Sequence, residues 1–351
     1  MSISTVVLGG AGYVGGELLR LIHAHPRFEL AAAVSGSYAN APVGSVFPHL
    51  ACAAGSVNFT PPDDWSSSIA HGSDVALFSA APHGASAAAV AAALDVAEEK
   101  SFNVHVVDSS ADFRYANASE FADVYGIDHP APGLTSEFSC AVPEHAADSG
   151  APHAGHPGCF ATAALLAAVP LVKSGLTNDE LFLTGITGST GSGRSAKAGT
   201  HHPERHSNLY AYQALRHRHT PEIAGLVEKA CGTRPTIHFV PHSGPFARGI
   251  YMTLQASLRP GVSEKEIAAA FGGCYAGSPF VRIVAEAPRL KDVVASNYCH
   301  IGFAANNGAV TVMCVIDNLV KGAAGGAMQW MNRLWSLPQE TGLLAAPPAW
   351  T

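Results

Sequence analysis

Charged side chains are scarce in this sequence, and no part of it is strongly basic. Of its 351 residues, 13% are charged and 48% are hydrophobic, and the formal net charge is -7. Proteins that bind nucleic acid or a membrane surface usually carry clustered lysines and arginines. The composition therefore argues against both kinds of partner. It also provides a sizeable hydrophobic core for two domains or one large one.

Long apolar runs and paired cysteines are also missing. No run of 18 apolar residues is present, so no membrane-spanning helix is predicted. The seven cysteines are an odd number without a C-x-x-C pair, at positions 52, 140, 159, 231, 274, 299 and 314. This pattern is typical of free thiols in a reducing compartment, and not of a disulfide framework or a zinc site. We therefore predict a cytoplasmic protein without a bound metal.

The first motif is a glycine-rich turn near the N-terminus. It separates a β-branched segment at 3–8, a predicted strand, from a helical segment at 17–22. Its spacing fits both G-x-G-x-x-G and G-x-x-G-x-x-G, and glycines in such a turn let a pyrophosphate rest on the helix N-terminus. An ordinary tight turn is the alternative, but the strand–turn–helix context favours dinucleotide binding. The predicted cofactor-binding residues of this turn are Gly9, Gly10, Ala11, Gly12, Tyr13, Val14 and Gly15.

The end of the second predicted strand, at 28–34, bears on the choice of cofactor. Proteins that bind NAD usually carry Asp or Glu at this point, roughly 20 residues past the glycines, to hold the ribose 2′-hydroxyl. Here the chain reads Ser35-Gly36-Ser37. No carboxylate repels a 2′-phosphate, and the hydroxyls of Ser35 and Ser37 can donate to one. The sequence therefore favours NADP.

Two later loops are predicted to face the cofactor or substrate. They follow predicted strands at 74–79 and 104–108, and ligands in open α/β sheets bind beyond the carboxyl ends of the strands. Arg114 in the second loop suits an anion, because its guanidinium matches phosphate and carboxylate oxygens. A salt bridge with Asp112 is an equal alternative. The candidate residues of the two loops are Pro82, His83, Gly84, Ser110 and Arg114.

Cys159 is the candidate nucleophile. A Pro157-Gly158 turn brings it to the start of an apolar, helix-forming run at 160–169, so it is predicted in the first turn of a helix. Unpaired first-turn amides and the helix dipole favour a thiolate, the reactive form. The alternative is a small buried hydrophobe, as most free cysteines are. A loop-rich region at 117–155 predicts a domain boundary near 148–155, which places Cys159 between two domains, where small-molecule sites concentrate.

The histidines at 217 and 219 are candidates for acid–base catalysis. Their spacing forms no known zinc motif with the scattered cysteines. An imidazole is the usual activator of a catalytic thiol, so one of the two is predicted to assist Cys159. The alternative is that both are surface or loop-stabilising residues. A mixed or antiparallel sheet covered on one face is predicted for this second domain.

These motifs together resemble the N-acetyl-gamma-glutamyl-phosphate reductase family, in its shorter bacterial type. The resemblance runs nearly end to end, and its most distinctive stretches are residues 9–18, 110–114, 157–159, 217–223 and 316–325. There are departures. The family usually has Asn before the Pro-Gly-Cys turn and Tyr-Pro after it, where this chain has His156, Phe160 and Ala161. The family often has an arginine in the segment that reads Ser35-Gly36-Ser37 here, and its loop at 188–193 is less loosely built.

The resemblance implies a fold and a domain organisation. The expected fold is α/β, with an N-terminal Rossmann-type dinucleotide-binding domain and an α+β catalytic and dimerisation domain. The first domain is expected at 1–150 with 316–351 packing back on it, and the second at 151–315. Asn318 in the returning helix is expected to bind the nicotinamide carboxamide, although a plain helix cap is an equal reading. A homodimer or homotetramer is expected.

The resemblance also implies a reaction. NADPH would reduce N-acetyl-L-glutamyl 5-phosphate to N-acetyl-L-glutamate 5-semialdehyde and phosphate, through a thioester on Cys159, in arginine biosynthesis. His219 is favoured as acid–base residue and His217 is the fallback; Arg114, Ser110, Ser189 and Arg194 are expected to bind substrate. Two alternatives stay open at this point. One is a related reductase acting on a carrier-linked or aminoadipyl phosphate, and the other is a catalytically silent NADP-binding or scaffold protein.

Overall fold

The computed structural model describes residues 2–54, 56–146 and 150–349, which fall into two units. Among these residues the first unit contains 2–141, 150–156 and 323–344, and the second contains 142–146, 157–322 and 345–349. The domain boundary predicted near 148–155 falls partly on 147–149, which lie outside the described residues. Within residues 2–54, 56–146 and 150–349, no helix combines the length and the apolar character that a membrane crossing requires.

The first unit is built on a parallel sheet. Its strands are β1 (Ile3–Leu8), β2 (Phe28–Val34), β3 (Phe59–Thr60), β4 (Asp74–Ser79), β5 (Asn103–Asp108), β6 (Phe138–Cys140) and β7 (His153–Gly155). They are ordered β3-β2-β1-β4-β5-β7-β6, and each pairing is parallel. The strand order changes direction between β1 and β4, so the loops that follow these two strands form the ligand crevice expected for such a sheet.

Five helices follow or separate these strands. They are α1 (Tyr13–His23), α2 (Val43–Val46), α3 (Ala51–Ala54), α4 (Ser86–Glu99) and α5 (Ala118–Tyr125). β1 and β4 each bury five of their six residues, four of which are apolar in each strand, as is typical of strands covered on both faces. The first helix begins at Tyr13, four residues before the segment predicted from periodicity, because Gly12 has the extended conformation of a helix cap.

The second unit contains a mixed sheet. Its strands are β8 (Glu180–Thr187), β9 (Tyr210–Ala211), β10 (Thr236–Ser243), β11 (Ile250–Ser257), β12 (Val281–Ile283), β13 (Cys299–Asn306) and β14 (Ala309–Ile316), in the order β12-β13-β14-β11-β8-β10-β9. The β8–β10 and β12–β13 pairs are parallel and the others antiparallel. Buried and accessible side chains alternate along β8 and β10, so one face of the sheet is covered, as predicted.

Helix α6 (Cys159–Lys173) lies at the centre of the second unit. It packs on β11, β14 and α8 (His219–Cys231), and its apolar run is buried from Phe160 to Leu171. The described residues of this unit also form the single-turn helix α7 (His202–Arg205) and α9 (Glu264–Tyr275). A capping box begins α9: Ser263 N donates to Glu266 Oε2 at 2.8 Å, and Glu266 N donates to Ser263 Oγ at 3.4 Å.

The segment that starts at residue 316, expected as one helix returning to the first domain, is not a single regular helix. β14 ends at Ile316, and the Asp317 carboxylate then accepts hydrogen bonds from the amides of Leu319 and Val320 at 2.8 Å each. A π-helical turn, Val320–Ala324, leads into α10 (Gly325–Leu334), which packs on β5 and α1 within the first unit. The segment expected as 316–351 is therefore divided, because residues up to 322 and from 345 belong with the second unit.

Candidate active site

The glycine turn after β1 packs tightly against neighbouring backbone. Gly9 has φ +72°, and a Cβ there would lie 2.7 Å from the Ala80 carbonyl group. A Cβ on Gly15 would lie 2.5 Å from the Gly10 carbonyl oxygen. Helix α1 starts directly after this turn and has no side-chain cap. These glycines therefore allow the turn to pack against the Ala80 backbone and against helix α1, and the N-terminus of that helix favours a negative charge such as that of a pyrophosphate.

The two serines after β2 differ in their surroundings. Ser35 is buried, and its Oγ accepts a hydrogen bond from Tyr38 N at 3.3 Å. Ser37 is exposed, two residues beyond the carboxyl end of the strand. Of the two hydroxyls, that of Ser37 is the more accessible to a nucleotide ribose or its phosphate.

The loops after β4 and β5 are locked together. The Asp112 carboxylate is fully buried and accepts from Gly84 N at 2.8 Å and from Ala87 N at 2.9 Å. His83 Nδ1 accepts from Ala111 N at 2.9 Å. The Pro82-His83-Gly84 turn is therefore held against the 110–114 loop, and the structure brings these two predicted candidate regions into contact.

Ser110 lies in a buried polar network. Its Oγ donates to Asp108 Oδ2 at 2.6 Å and accepts from Asp112 N at 3.1 Å. Ser86 Oγ donates to the other carboxylate oxygen of Asp108 at 2.6 Å. Burial raises the pKa of Asp108, and the nearby Asp112 raises it further. Ser110 therefore holds the end of β5, and its predicted contact with substrate stays a prediction.

Arg114 is almost completely buried and binds backbone carbonyl groups. Its Nε donates to the His156 carbonyl at 3.1 Å and its Nη2 to the Ser109 carbonyl at 3.0 Å. His156 directly precedes the Pro157-Gly158 turn, so Arg114 fixes the chain just before that turn. The sequence left an anion clamp and a salt bridge with Asp112 open, and did not anticipate these backbone contacts. Anion binding by Arg114 stays a prediction.

Cys159 is the first residue of α6, as the sequence predicted. Gly158 is the cap residue before it, and Thr162 N donates to the Gly158 carbonyl at 2.7 Å. The thiol is half-buried and so differs from the fully buried Cys299 and Cys314. A Cβ on Gly322 would lie 2.8 Å from the Cys159 Cβ, so that glycine permits close approach of the chain to the nucleophile.

Glu222 braces the turn that carries Cys159. Its Oε1 accepts a hydrogen bond from Gly158 N at 2.7 Å, and its Oε2 lies 3.9 Å from His219 Nε2. The carboxylate is fully shielded from water. Sequence reasoning missed this residue. The available signal was its spacing, since residues three apart on a helix share a face and both His219 and Glu222 lie in the first turn of α8.

The two histidines lie beside the start of α6. Their ring centroids are 4.7 Å apart and lie 5.8 Å (His217) and 6.2 Å (His219) from the ring of Phe160, the residue after Cys159. His217 Nδ1 accepts from His219 N at 3.2 Å. Burial, with a smaller contribution from the charge of Arg218, lowers the pKa of His217 to about 4. His217 is therefore neutral at neutral pH.

Three further candidates lie near the end of β8. Ser189 N donates to the Phe246 carbonyl at 2.9 Å, and Arg194 is exposed. Asn318 is buried, accepts from Gly249 N at 2.7 Å through Oδ1, and donates to Thr190 Oγ1 at 3.0 Å through Nδ2. Asn318 therefore ties two loops of the second unit together, and its contact with nicotinamide stays a prediction.

The chain matches two family models that together cover most of its length. Residues 4–170 match the semialdehyde dehydrogenase NAD binding domain, and residues 159–318 match the semialdehyde dehydrogenase dimerisation domain. A curated N-acetyl-gamma-glutamyl-phosphate reductase of Symbiobacterium thermophilum is 37% identical, with 100% of each chain covered. The chain belongs to the N-acetyl-gamma-glutamyl-phosphate reductase family. The predicted family is thus confirmed, and with it an oxidoreductase of the α/β class.

Other members of this reductase family are similarly close. That of Acidithiobacillus ferrooxidans is 38% identical, covering 96% of this chain and 97% of its own, and that of Methanopyrus kandleri is 37% identical with 96% of each covered. The match to the NAD binding domain model identifies the first unit as a nicotinamide-dinucleotide-binding domain. The match to the dimerisation domain model indicates a homo-oligomer.

Solved structures support the fold. Aspartate semialdehyde dehydrogenase II from Vibrio cholerae, complexed with ASA, superposes with a TM-score of 0.66 at 14% identity, covering 96% of this reductase-family chain and 98% of the other. The enzyme from Candida albicans with NADP gives 0.65 at 15% identity, covering 96% and 99%. At this identity the likeness concerns the fold alone.

Proposed function

We propose that this protein reduces N-acetyl-L-glutamyl 5-phosphate to N-acetyl-L-glutamate 5-semialdehyde with NADPH, through a thioester on Cys159. The observation that carries the proposal is the start of α6. There, a half-buried cysteine begins the helix, two imidazoles lie within 6.2 Å of the ring of the next residue, Phe160, and a buried carboxylate accepts from the amide before the cysteine. Membership of the reductase family supplies the substrate. The reaction belongs to arginine biosynthesis, and the free cysteines fit a cytoplasmic location.

Cys159 performs the acyl transfer. Its thiolate forms a bond to the acyl carbon of the substrate, and the tetrahedral intermediate collapses with cleavage of the carbon–oxygen bond to phosphate. The phosphate leaves with that electron pair. The resulting thioester accepts a hydride far more readily than a carboxylate would, which is the benefit of the covalent step. Amides in the first turn of α6 are suited to stabilise the oxyanion.

His219 is the proposed acid–base residue. It takes the thiol proton before attack, and it returns a proton to the thiolate once the aldehyde has formed. The Glu222 carboxylate, 3.9 Å away, favours the protonated imidazole that forms in this role. His217 is less suitable, because its pKa of about 4 keeps it neutral and its Nδ1 is engaged by the backbone.

The nicotinamide cofactor fits the first unit. Gly9 and Gly15 allow a tight strand–turn–helix unit in which the start of α1 carries no side-chain cap, and the two serines follow β2 where a nucleotide ribose is expected. When bound, the cofactor supplies the hydride that converts the thioester to the aldehyde. Ser37 and Ser35 present hydroxyls and no carboxylate, which supports NADP over NAD.

The oligomer is proposed to form through the open face of the second sheet. On that face Phe182 is 50% exposed and stacks on His238 with ring centroids 4.7 Å apart. Exposed aromatic rings of this kind are enriched where proteins associate. A homodimer or homotetramer is proposed, and the mass of the protein in solution decides between them; a monomer would contradict both.

The deciding assay is phosphate-dependent reduction of NADP with N-acetyl-L-glutamate 5-semialdehyde. Activity is expected with this aldehyde and phosphate, and a preference for an aminoadipyl or carrier-linked aldehyde would replace the proposed substrate. Cys159→Ser should lose all but about 1% of the activity, because a serine hydroxyl is a poor nucleophile without strong base assistance. NADP binding should remain. Retention of more than about a tenth of the activity would contradict the covalent mechanism.

A further inference from the structure

Arg205 occupies an unusual position in the second unit. It lies at the end of the single-turn helix α7, within the segment 189–216. Every other residue of this segment is exposed or half-buried, whereas Arg205 is buried, with 8% of its surface accessible. The buried side chain of this segment is therefore the charged Arg205, although buried positions are usually occupied by apolar residues.

Of the three guanidinium nitrogens of Arg205, one donates a hydrogen bond to the protein. Its Nη2 donates to the Gly244 carbonyl, whereas Nε and Nη1 are enclosed and have no partner. Arg205 forms no ion pair within the described part of the chain. Burying a charge without an opposite charge is strongly unfavourable, so a guanidinium kept in this place points to an anion that the chain does not supply.

The surroundings of Arg205 connect it to the catalytic side chains. Gly244 follows β10 directly, and its amide donates to the Thr187 carbonyl at the end of β8 at 2.8 Å. Arg205 thus lies at the carboxyl end of the parallel β8–β10 pair. Strand β9 pairs with the same end of β10, and Tyr212, the residue after β9, has its ring centroid 5.7 Å from that of His217. Arg205 and Tyr212, the neighbour of His217, therefore both lie at the carboxyl end of the β8–β10 pair.

We propose that Arg205 binds an oxyanion of the substrate, either its carboxylate or its phosphoryl group, and that segment 189–216 moves to admit it. A guanidinium binds both groups through paired N–H donors. Both unpaired nitrogens are enclosed, so the anion enters when the segment lifts and is covered when it returns. The part of the segment before β9 buries few side chains besides Arg205, so few buried contacts oppose its opening, while β9 stays paired with β10. The inference rests on the proposed function for the identity of the substrate.

Steady-state kinetics in the aldehyde-oxidising direction separate the two sources of the anion. Arg205→Met and Arg205→Gln should raise one Michaelis constant by roughly 10-fold or more, as expected for loss of a charge-assisted hydrogen bond. A rise for inorganic phosphate assigns the phosphoryl group, and a rise for the semialdehyde assigns the carboxylate. The control is Arg216→Met, at an exposed arginine of the same segment, which should leave both constants unchanged. Unchanged constants in both Arg205 variants would overturn the proposal.

Thermal unfolding gives a second readout that needs no activity. Without ligand, Arg205→Met should have a Tm equal to or above that of the wild type, because an unmatched buried charge is removed. Inorganic phosphate or N-acetyl-L-glutamate should raise the wild-type Tm, and this rise should vanish in Arg205→Met. A lower Tm in Arg205→Met with an undiminished ligand shift would show a merely structural arginine and refute the proposal.

The two readouts distinguish this inference from the proposed function. If the wild type is inactive but an anion raises its Tm through Arg205, the proposed reaction fails and the anion site stands. If the wild type is active while neither the Michaelis constants nor the Tm shifts depend on Arg205, the anion site fails and the proposed reaction stands.

Discussion

At the scale of single residues, the Glu222 carboxylate contacts both the turn that carries Cys159 and the side chain of His219. Glu222 accepts from the amide next to Cys159 and lies beside His219, so it couples the position of the nucleophile to that of the base. A buried carboxylate with such contacts stabilises the native geometry through hydrogen bonding and the site through its charge. Variants can separate these two effects.

Glu222→Gln should lower kcat at least 10-fold with little change in Tm. Gln retains an oxygen that can accept from Gly158 N, but it removes the charge beside the His219 imidazole. Glu222→Ala should lower both kcat and Tm, because the buried Gly158 amide then lacks its partner, at a cost of about 1–3 kcal/mol. Initial rates and thermal unfolding check this. Full turnover in Glu222→Gln would show that the charge has no catalytic role.

His219→Asn should lose turnover by a factor of about 10² to 10⁴ with cofactor affinity retained. His217→Asn should lose less, since burial keeps His217 neutral at neutral pH. The pH dependence of Cys159 alkylation supplies an independent measurement. It should shift to higher pH in His219→Asn, and an identical profile in wild type and variant would transfer the role to His217.

At the scale of elements, the carboxyl end of β2 is the place where cofactor preference is set. Ser37→Asp should shift the preference from NADPH towards NADH, because a carboxylate repels the 2′-phosphate and accepts from the 2′-hydroxyl. Ser35→Asp should shift it too but cost stability, since Ser35 is buried. The ratio of kcat/KM for the two cofactors is the measurement, with Ser67→Asp, an exposed serine elsewhere in the unit, as control. An unchanged ratio in both test variants would place these serines away from the ribose.

At the scale of the whole molecule, buried histidines make stability depend on pH. Burial lowers the pKa of His145, His153 and His217 to about 4 each, from an ordinary value of 6.5. Between these values the unfolded chain binds more protons than the folded one, so the free energy of unfolding decreases as the pH falls from about 6.5 to 4. Each histidine contributes about 2 kcal/mol of this loss between pH 7 and pH 5.

Replacing any one of these histidines by Gln should therefore flatten the decline of Tm between pH 7 and pH 5. His153→Gln is the test in the first unit and His145→Gln in the second, and exposed His49→Gln serves as the control. A decline as steep in His153→Gln and His145→Gln as in the wild type would mean that these histidines do not titrate in this range.

The sequence alone determined the local architecture. The bounds of β1 and β2 and the start of α6 at Cys159 were predicted because each depends on neighbouring residues only: short runs of strand-forming residues and a Pro-Gly turn. The resemblance to the reductase family supplied the reaction, and the general chemistry of thiol activation supplied the prediction that a histidine assists Cys159.

Only the tertiary structure decided which groups meet across the chain. The Gly158 amide meets a carboxylate 64 positions away, Arg114 binds the His156 carbonyl 42 positions away, and Arg205 is buried at Gly244 inside an otherwise exposed segment. Such contacts follow from how strands and helices pack. No local pattern encodes them, because a carboxylate or guanidinium has the same sequence signature whether it is solvated or buried against a distant backbone group.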